Sequence, residues 1–295
     1  MSQDGNDGLV ARLGRIDRRW IFLAMALAII APILMRLRFE EEPQRMAQAT
    51  FDTIEALPAG SKVLMSLDYD PSSEGELQPM ANALIHHCAS RGHKIVFMTL
   101  WPFGTPLLDK TVKRILLEYH PQLKYGTDYV TLGYKPGLEG VVKLMSSDIP
   151  KQFTTDKQGT PIGEVPLLAG VKDLSGFQLV VSVSAGYPGA KEWVQFGNGP
   201  TPDAFAVIGG TTAVQAAQLL PYFPKQMEGM LLGIKGAAEY ELLVQKAYMP
   251  ERFPERLEDG RIRMGSQVFA HMLMIALIVL GNIVMAAGRA RGGAK

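Results

Sequence analysis

Two aspartates stand one residue apart directly behind an apolar run. The segment 62–76 reads KVLMSLDYDPSSEGE, in which Asp68 and Asp70 follow the run and Ser73 with Glu76 forms an S-x-x-E capping box. Two carboxylates at this spacing could hold Mg²⁺ together with a substrate phosphate, or supply a nucleophile and an acid. They could equally do no more than cap the turn and helix that follow. The sequence favours capping and leaves catalysis as the alternative.

The D-x-D pattern resembles the first motif of haloacid-dehalogenase-type phosphatases, which also begins with an apolar strand that ends in D-x-D. The resemblance covers only the segment around Asp68, with Ser72 where those enzymes usually carry a threonine or a similar residue. It implies that Ser182 or Ser184 and Lys135 would fill the remaining roles. The late paired acidic motif of that family is not found in this sequence. The implied activity is a Mg²⁺-dependent phosphohydrolase or phosphotransferase using Asp68 and Asp70.

A second group of candidates consists of aromatic residues with a proline close behind them. Each stands just after a predicted strand: Tyr69, Trp101, Tyr134 and Tyr187, with Lys135 beside the third. Parallel strands bring such positions to one edge of the sheet, where ligands bind outside the carboxyl ends of the strands. The pattern predicts an aromatic rim that binds a ligand or a partner. The alternative is that these pairs only stiffen turns.

A glycine-rich turn follows the fifth predicted strand. Its residues Gly210, Thr211 and Thr212 could cradle a phosphate or carboxylate with backbone N–H groups, although the spacing of a Walker lysine is missing. A turn that needs glycine for its geometry is the competing interpretation. His86 and His87 are adjacent and would point to different sides of a helix, so they cannot chelate one metal ion together. No cofactor is predicted, apart from Mg²⁺ in the catalytic alternative.

Strand and helix patterns alternate between the two ends of the chain. Short apolar runs followed by turn residues and helical periodicity predict an α/β fold with a doubly wound, mostly parallel, Rossmann-like sheet of five to six strands. This domain is assigned to residues 61–249. Periodicity fails over 148–176, which is too long for an ordinary connection and is interpreted as an irregular insertion.

Apolar segments flank the domain. Residues 20–36 and 267–288 are predicted as one transmembrane helix at each end, with a cleaved signal peptide as the competing interpretation of the first. The excess of Lys and Arg at the outer ends predicts cytoplasmic termini and an extracytoplasmic domain. The other predicted segments are a basic tail at 1–19, an amphipathic stalk helix at 37–60, a linker at 250–266 and a basic tail at 289–295.

Composition narrows the class of function. The formal net charge of +1 and the interspersed acids and bases argue against a nucleic-acid partner. The sequence therefore predicts a membrane-anchored domain that binds a ligand or assembles with other membrane-protein subunits or with itself, without catalytic activity of its own. The alternative is the membrane-tethered phosphohydrolase or phosphotransferase.

Overall fold

The computed structural model describes residues 17–198, 204–249 and 257–292. Most of the predicted N-terminal tail, the first part of the predicted linker and the last three residues of the predicted C-terminal tail lie outside this range. The segment Glu40–Arg261 forms one compact unit, called the α/β unit below, and the flanking segments form a second unit.

Six parallel strands make a single sheet in the α/β unit. They are β1 (Lys62–Asp68), β2 (Lys94–Thr99), β3 (Tyr129–Tyr134), β4 (Leu179–Ser184), β5 (Ala206–Thr211) and β6 (Gly229–Leu232). Their order across the sheet is β3-β2-β1-β4-β5-β6. This order reverses between β1 and β4, which is the topological switch point of a doubly wound fold. The predicted α/β class with a parallel sheet is confirmed, and the sheet has six strands.

Helices connect and flank these strands. They are α1 (Arg18–Leu34), α2 (Arg45–Ala56), α3 (Glu74–Ser90), α4 (Gly104–Thr111), α5 (Glu139–Met145), α6 (Ile149–Gln152), α7 (Ala190–Glu192), α8 (Ala216–Leu219), α9 (Gly233–Tyr248) and α10 (Asp259–Gly292). α4 continues as a π-helical segment, Val112–Leu117, and α7 as another, Trp193–Asn198. Short 3-10 segments occur at Ile162–Glu164, Pro166–Leu168, Leu174–Gly176, Ala213–Gln215 and Leu220–Tyr222.

The central strand β1 explains why the sheet is buried on both sides. Its residues alternate between two core clusters: Val63, Met65 and Leu67 lie in the cluster that contains α3 and α9, and Leu64 lies in the other. A parallel strand that is covered on both faces has an almost continuous apolar sequence, as this one does.

The irregular segment 148–176 is part of the second core cluster. Its buried apolar side chains include Ile149, Phe153 and Leu168. Lys157 N donates to Thr131 O of the edge strand β3 at 2.8 Å. The segment therefore covers one face of the sheet and part of its outer edge.

The predicted stalk helix is α2, and it packs against the α/β unit. It contacts β6 and α9, and Ile54 is fully buried in the core. A Cβ on Gly229 of β6 would lie 2.6 Å from Thr50 Cα, so glycine is needed for this close approach. Thus α2 is a layer of the domain at the β6 end of the sheet.

One helix among the described residues is long and apolar enough to cross a membrane. It is the stretch Asp259–Ala287 of α10, which begins within the predicted linker, and its most apolar window is unburied. α1 has 17 residues, contains Pro32 and exposes large apolar side chains such as Trp20 and Leu34. At 1.5 Å per residue it spans about 26 Å, short of the roughly 30 Å hydrocarbon core. The prediction of a span at each end is thus supported only for the C-terminal helix.

Buried histidines tie α3 to its neighbours. His87 Nε2 donates to Glu55 Oε1 of α2 at 2.8 Å, and its Nδ1 accepts from the Tyr240 hydroxyl of α9 at 2.6 Å. His86 Nδ1 lies 2.9 Å from His120 Nε2. Burial lowers the pKa of His86 to about 3 and that of His87 to about 4. The rings of His86 and His87 are therefore neutral near pH 7.

Replacing His87 by Gln should make the α/β unit less sensitive to acid. The unfolded chain takes up a proton below about pH 6.5 whereas the folded ring resists protonation until about pH 4, so stability is full above pH 6.5 and is lost as the pH falls between these values. Between about pH 7.5 and pH 5.5 the wild type should lose about 1.4 kcal/mol that His87→Gln keeps. Urea unfolding of the full chain in detergent measures the difference. Equal acid sensitivity of the two proteins would contradict this account.

Candidate functional site

The carboxyl ends of β1 and β4 lie side by side at the switch point of the sheet. β1 ends at Asp68, which is paired in register with Ser184 at the end of β4. Crevices at this position are the usual ligand sites of open α/β sheets. The predicted site residues are distributed along this edge, but some are buried and hydrogen-bonded within the fold and others are exposed.

Asp68 is fully buried, and both of its carboxylate oxygens accept hydrogen bonds. Oδ2 accepts from Ser66 Oγ at 2.6 Å, and Oδ1 accepts from Leu100 N at 2.6 Å and from Thr99 Oγ1 at 3.4 Å. Burial raises the pKa of Asp68 to about 7, against these hydrogen bonds. The side chain joins β1 to the end of β2.

Asp70 caps its own turn, as the sequence favours. Its Oδ1 accepts from Ser72 N at 3.0 Å, from Ser72 Oγ at 2.6 Å and from Ser73 N at 3.2 Å. These bonds, with the Ser72 hydroxyl first, lower the pKa of Asp70. Both oxygens of the buried Asp68 carboxylate accept hydrogen bonds, and the three bonds to Asp70 all reach Oδ1, so Asp68 in particular has little capacity left for Mg²⁺. Within the described residues no group of three or more His, Cys, Asp or Glu side chains could hold a metal.

The predicted aromatic rim divides into buried and exposed members. Tyr69 is fully buried and donates from its hydroxyl to Gln78 Oε1 at 3.2 Å, so it belongs to the core. Tyr134 and Tyr187 are 38% and 55% exposed. Lys135 Nζ lies 5.4 Å above the centre of the Phe153 ring. The exposed part of the rim is thus smaller than the sequence suggests.

Trp101 and the loop after β4 are brought together. The indole Nε1 donates to Pro188 O at 3.0 Å, and a Cβ on Gly186 would lie 3.1 Å from the Trp101 ring. The Tyr187 hydroxyl bonds the Glu139 carboxylate on α5. These contacts fix the loop that carries Tyr187.

The glycine-rich turn after β5 is used within the fold. Gly210 lies inside β5, where a Cβ would be 2.7 Å from Met80 Sδ. Thr211 is buried and its hydroxyl lies 3.2 Å from both Ser184 O and Gln215 Oε1. Thr212 precedes the following 3-10 turn, and its side chain makes no capping hydrogen bond there.

A carboxylate does occupy this turn, and it comes from the chain itself. Glu76 Oε1 accepts from Ala213 N at 2.7 Å. Ser73, which precedes α3, makes no side-chain cap, so the predicted Ser73–Glu76 capping box is absent. Glu76 instead joins the first turn of α3 to the loop after β5.

A cleft of about 270 Å³ opens between the loops that follow β4 and β5. One wall is fixed by two bonds: Ser184 Oγ accepts from Ala190 N at 3.2 Å, and Glu192 Oε2 accepts from Gly189 N at 2.8 Å. The lining residues are Ser184, Gly186, Tyr187, Ala190, Lys191, Glu192, Gln215, Gln218 and Leu219. Of the predicted binding residues, only Tyr187 lines this cleft.

The cleft carries side-chain donors that sequence reasoning missed. The side chains of Lys191 and Gln218 make no hydrogen bond or ion pair to any other described residue. Gln215 uses its carbonyl oxygen on Thr211, which leaves its amide group for another acceptor. No local motif marks these residues, because they come from two loops that meet only in the fold.

Replacing Asp68 by Asn should remove one pH-dependent contribution to stability. The folded pKa of about 7 is above the unfolded value, so this contribution is full at low pH and is lost as the pH rises through about 7. Between about pH 6 and pH 8 the wild type should lose about 1.4 kcal/mol that Asp68→Asn keeps. Denaturant unfolding at both pH values measures this difference.

Asp70→Asn is the matched control for this prediction. It should cost no more than about 1 kcal/mol, because the amide oxygen still caps the turn. The same pH dependence in wild type and Asp68→Asn would show that Asp68 is not the titrating group.

No protein-family model matches the chain, and no curated protein matches it.

Proposed function

We propose that this chain is a membrane-anchored α/β protein that binds a small, negatively charged polar molecule and has no catalytic activity of its own. The observation that carries the proposal is the cleft beside the switch point, with Lys191, Gln215 and Gln218 as donors. Concave sites at this edge of an α/β sheet, with a few converging polar groups, are the usual binding sites of such folds.

The chemistry of the cleft supports an anionic ligand. Lys191 supplies a positive charge, and the two glutamines supply amide N–H groups. Glu192 also lines the cleft, but its Oε2 accepts from Gly189 N at 2.8 Å and so has a role within the loop. The exposed ring of Tyr187 offers a flat apolar surface at the mouth. A compact carboxylate or phosphate with an apolar or planar portion matches these groups.

The anchor extends the proposal to the membrane. α10 supports one span. A second span, formed by α1 at the N-terminal end, is part of this proposal and is drawn from the exposed apolar side chains of that helix. With both spans the termini would lie in the cytoplasm and the α/β unit outside it, following the flanking arginines. In this arrangement the domain acts as a ligand-binding subunit that assembles with other membrane proteins or with itself.

Lys191→Gln should weaken anion binding by at least roughly tenfold, because a charge-assisted hydrogen bond contributes about 1.5–3 kcal/mol and each 1.4 kcal/mol is a factor of about ten. The measurement is calorimetric titration of the full chain in detergent with inorganic phosphate and, separately, with succinate. Lys246→Gln is the control, because Lys246 is exposed on α9 and is not among the residues that line the cleft. Absence of binding of both probes to the wild type, or equal affinity of wild type and Lys191→Gln, would refute the proposed site.

A membrane-tethered phosphohydrolase or phosphotransferase is the second candidate. One feature favours it: burial raises the pKa of Asp68, at the end of the central strand, to about 7. Carboxyl groups with raised pKa values are common at catalytic sites. Against it stand the burial of Asp68, both of whose oxygens accept hydrogen bonds, and the use of Asp70 Oδ1 in its own turn. Mg²⁺-dependent release of phosphate from p-nitrophenyl phosphate, abolished by Asp68→Asn, would establish this candidate in place of the binding protein.

A further inference from the structure

Three uncharged polar residues of the membrane-crossing helix share one exposed face. Gln267, His271 and Asn282 of α10 are separated by intervals of 4 and 11 residues. At about 100° per residue these intervals correspond to rotations of about 40° and 20°, so the three side chains lie within an arc of roughly 60°. All three are exposed, and so are Ile275 and Ile278 between them, each at 60%.

From Gly265 onward, the contacts of α10 described here lie on the side opposite the polar face. Gly265 and Ser266 are buried, and a Cβ on Gly265 would lie 2.7 Å from Leu37 O. The Phe269 ring packs edge-on against Phe39 with ring centres 5.8 Å apart. The segment 37–39 therefore covers the back of the helix near its start and leaves the polar face open.

An open polar face is costly in a bilayer. Gln267 and Asn282 are about 22 Å apart along the helix axis, which is less than the roughly 30 Å thickness of the hydrocarbon core. Asn282 lies about 10 Å before Arg289, the first charged residue behind the span. Lipid chains offer no hydrogen-bond partner to an amide or an imidazole at such depths, and polar side chains there are usually paired across helices.

We propose that this face pairs with the same face of a second copy of the chain, so that α10 forms a parallel dimer held by Asn282 and His271. The inference rests on the proposed membrane anchoring. Two copies inserted with the same topology have parallel helices with equivalent residues at the same depth, so Asn282 meets Asn282 of the second copy. A carboxamide has both donor and acceptor groups, and a neutral imidazole has one of each, so each residue is complementary to itself. A buried Asn pair also fixes the register of two helices.

Site-directed cross-linking tests the face. The experiment uses the full chain in lipid vesicles, with Cys88, the one cysteine of the sequence, replaced by Ala. Ile278→Cys then places a single thiol on the polar face, and Leu280→Cys places it about 180° away around the helix. Oxidation should give a covalent dimer with Ile278→Cys and at least tenfold less with Leu280→Cys. Equal cross-linking at both positions, or none at either position, would overturn the proposal.

Polar-to-apolar variants test the hydrogen bonds. Asn282→Leu and His271→Leu should each weaken dimerisation roughly three- to tenfold, as measured by energy transfer between labelled copies in vesicles. The control Ile283→Leu changes an exposed residue about 100° from Asn282 and should leave dimerisation unchanged. Unchanged dimerisation in Asn282→Leu and His271→Leu would overturn the proposal.

Alkaline carbonate extraction of the same membranes separates this inference from the anchoring on which it rests. Protein that stays in the membrane but is monomeric would overturn the dimer alone. Protein that is extracted would overturn the anchor and the dimer together, while the anion titration of the cleft would be unaffected by either result.

Discussion

A fully parallel sheet has two apolar faces, and the α/β unit is arranged so that both are covered. α3 and α9 cover one face around Met65 and Leu67 of β1, and the segment 148–176 with the helix after β4 covers the other around Leu64. α2 closes the β6 end of the sheet, and Lys157 bonds its β3 edge. An exposed parallel edge or face would invite association with other chains, so each of these elements protects the sheet as well as stabilising it.

Because the sheet is buried, the polar groups within it need partners in the fold. Asp68 bonds β1 to the end of β2, Thr211 bonds β5 to the end of β4, and Glu76 bonds α3 to the loop after β5. Without a hydrogen-bond partner, each of these buried polar groups would destabilise the fold by about 1–3 kcal/mol. Asp68, Thr211 and Glu76 are thus residues of types found in active sites, but in this fold their side chains hydrogen-bond strands and helices to one another. The side chains of Lys191 and Gln218 in the cleft differ from these groups, since neither bonds another residue in the part of the chain that the structure describes, and the proposed binding site rests on this difference.

The sequence predicted the features that depend on neighbouring residues. The apolar runs identified the strands, and the turn chemistry of Asp70 is local, since its donors are Ser72 and Ser73. The features it missed depend on distant residues. The partner of Asp68 is the backbone of Leu100, the partner of Glu76 is Ala213, and the cleft combines loops after two different strands. The amphipathic pattern of α2 indicated one buried face, but it carried no information on whether that face meets its own domain or another protein.

The bond between Glu76 and Ala213 N has a consequence for how fast the cleft can bind. It holds the loop after β5 against α3, while Ser184 and Glu192 hold the loop after β4, so both walls are ordered before a ligand arrives. Binding to a site that is already formed loses little conformational entropy and needs no preceding rearrangement. Association should then depend on diffusion and on the charge of Lys191, and it should slow as salt screens that charge. If the cleft binds the proposed anion, its response to a change in concentration is governed by the sum of the association rate at that concentration and the dissociation rate, with no slower conformational step added.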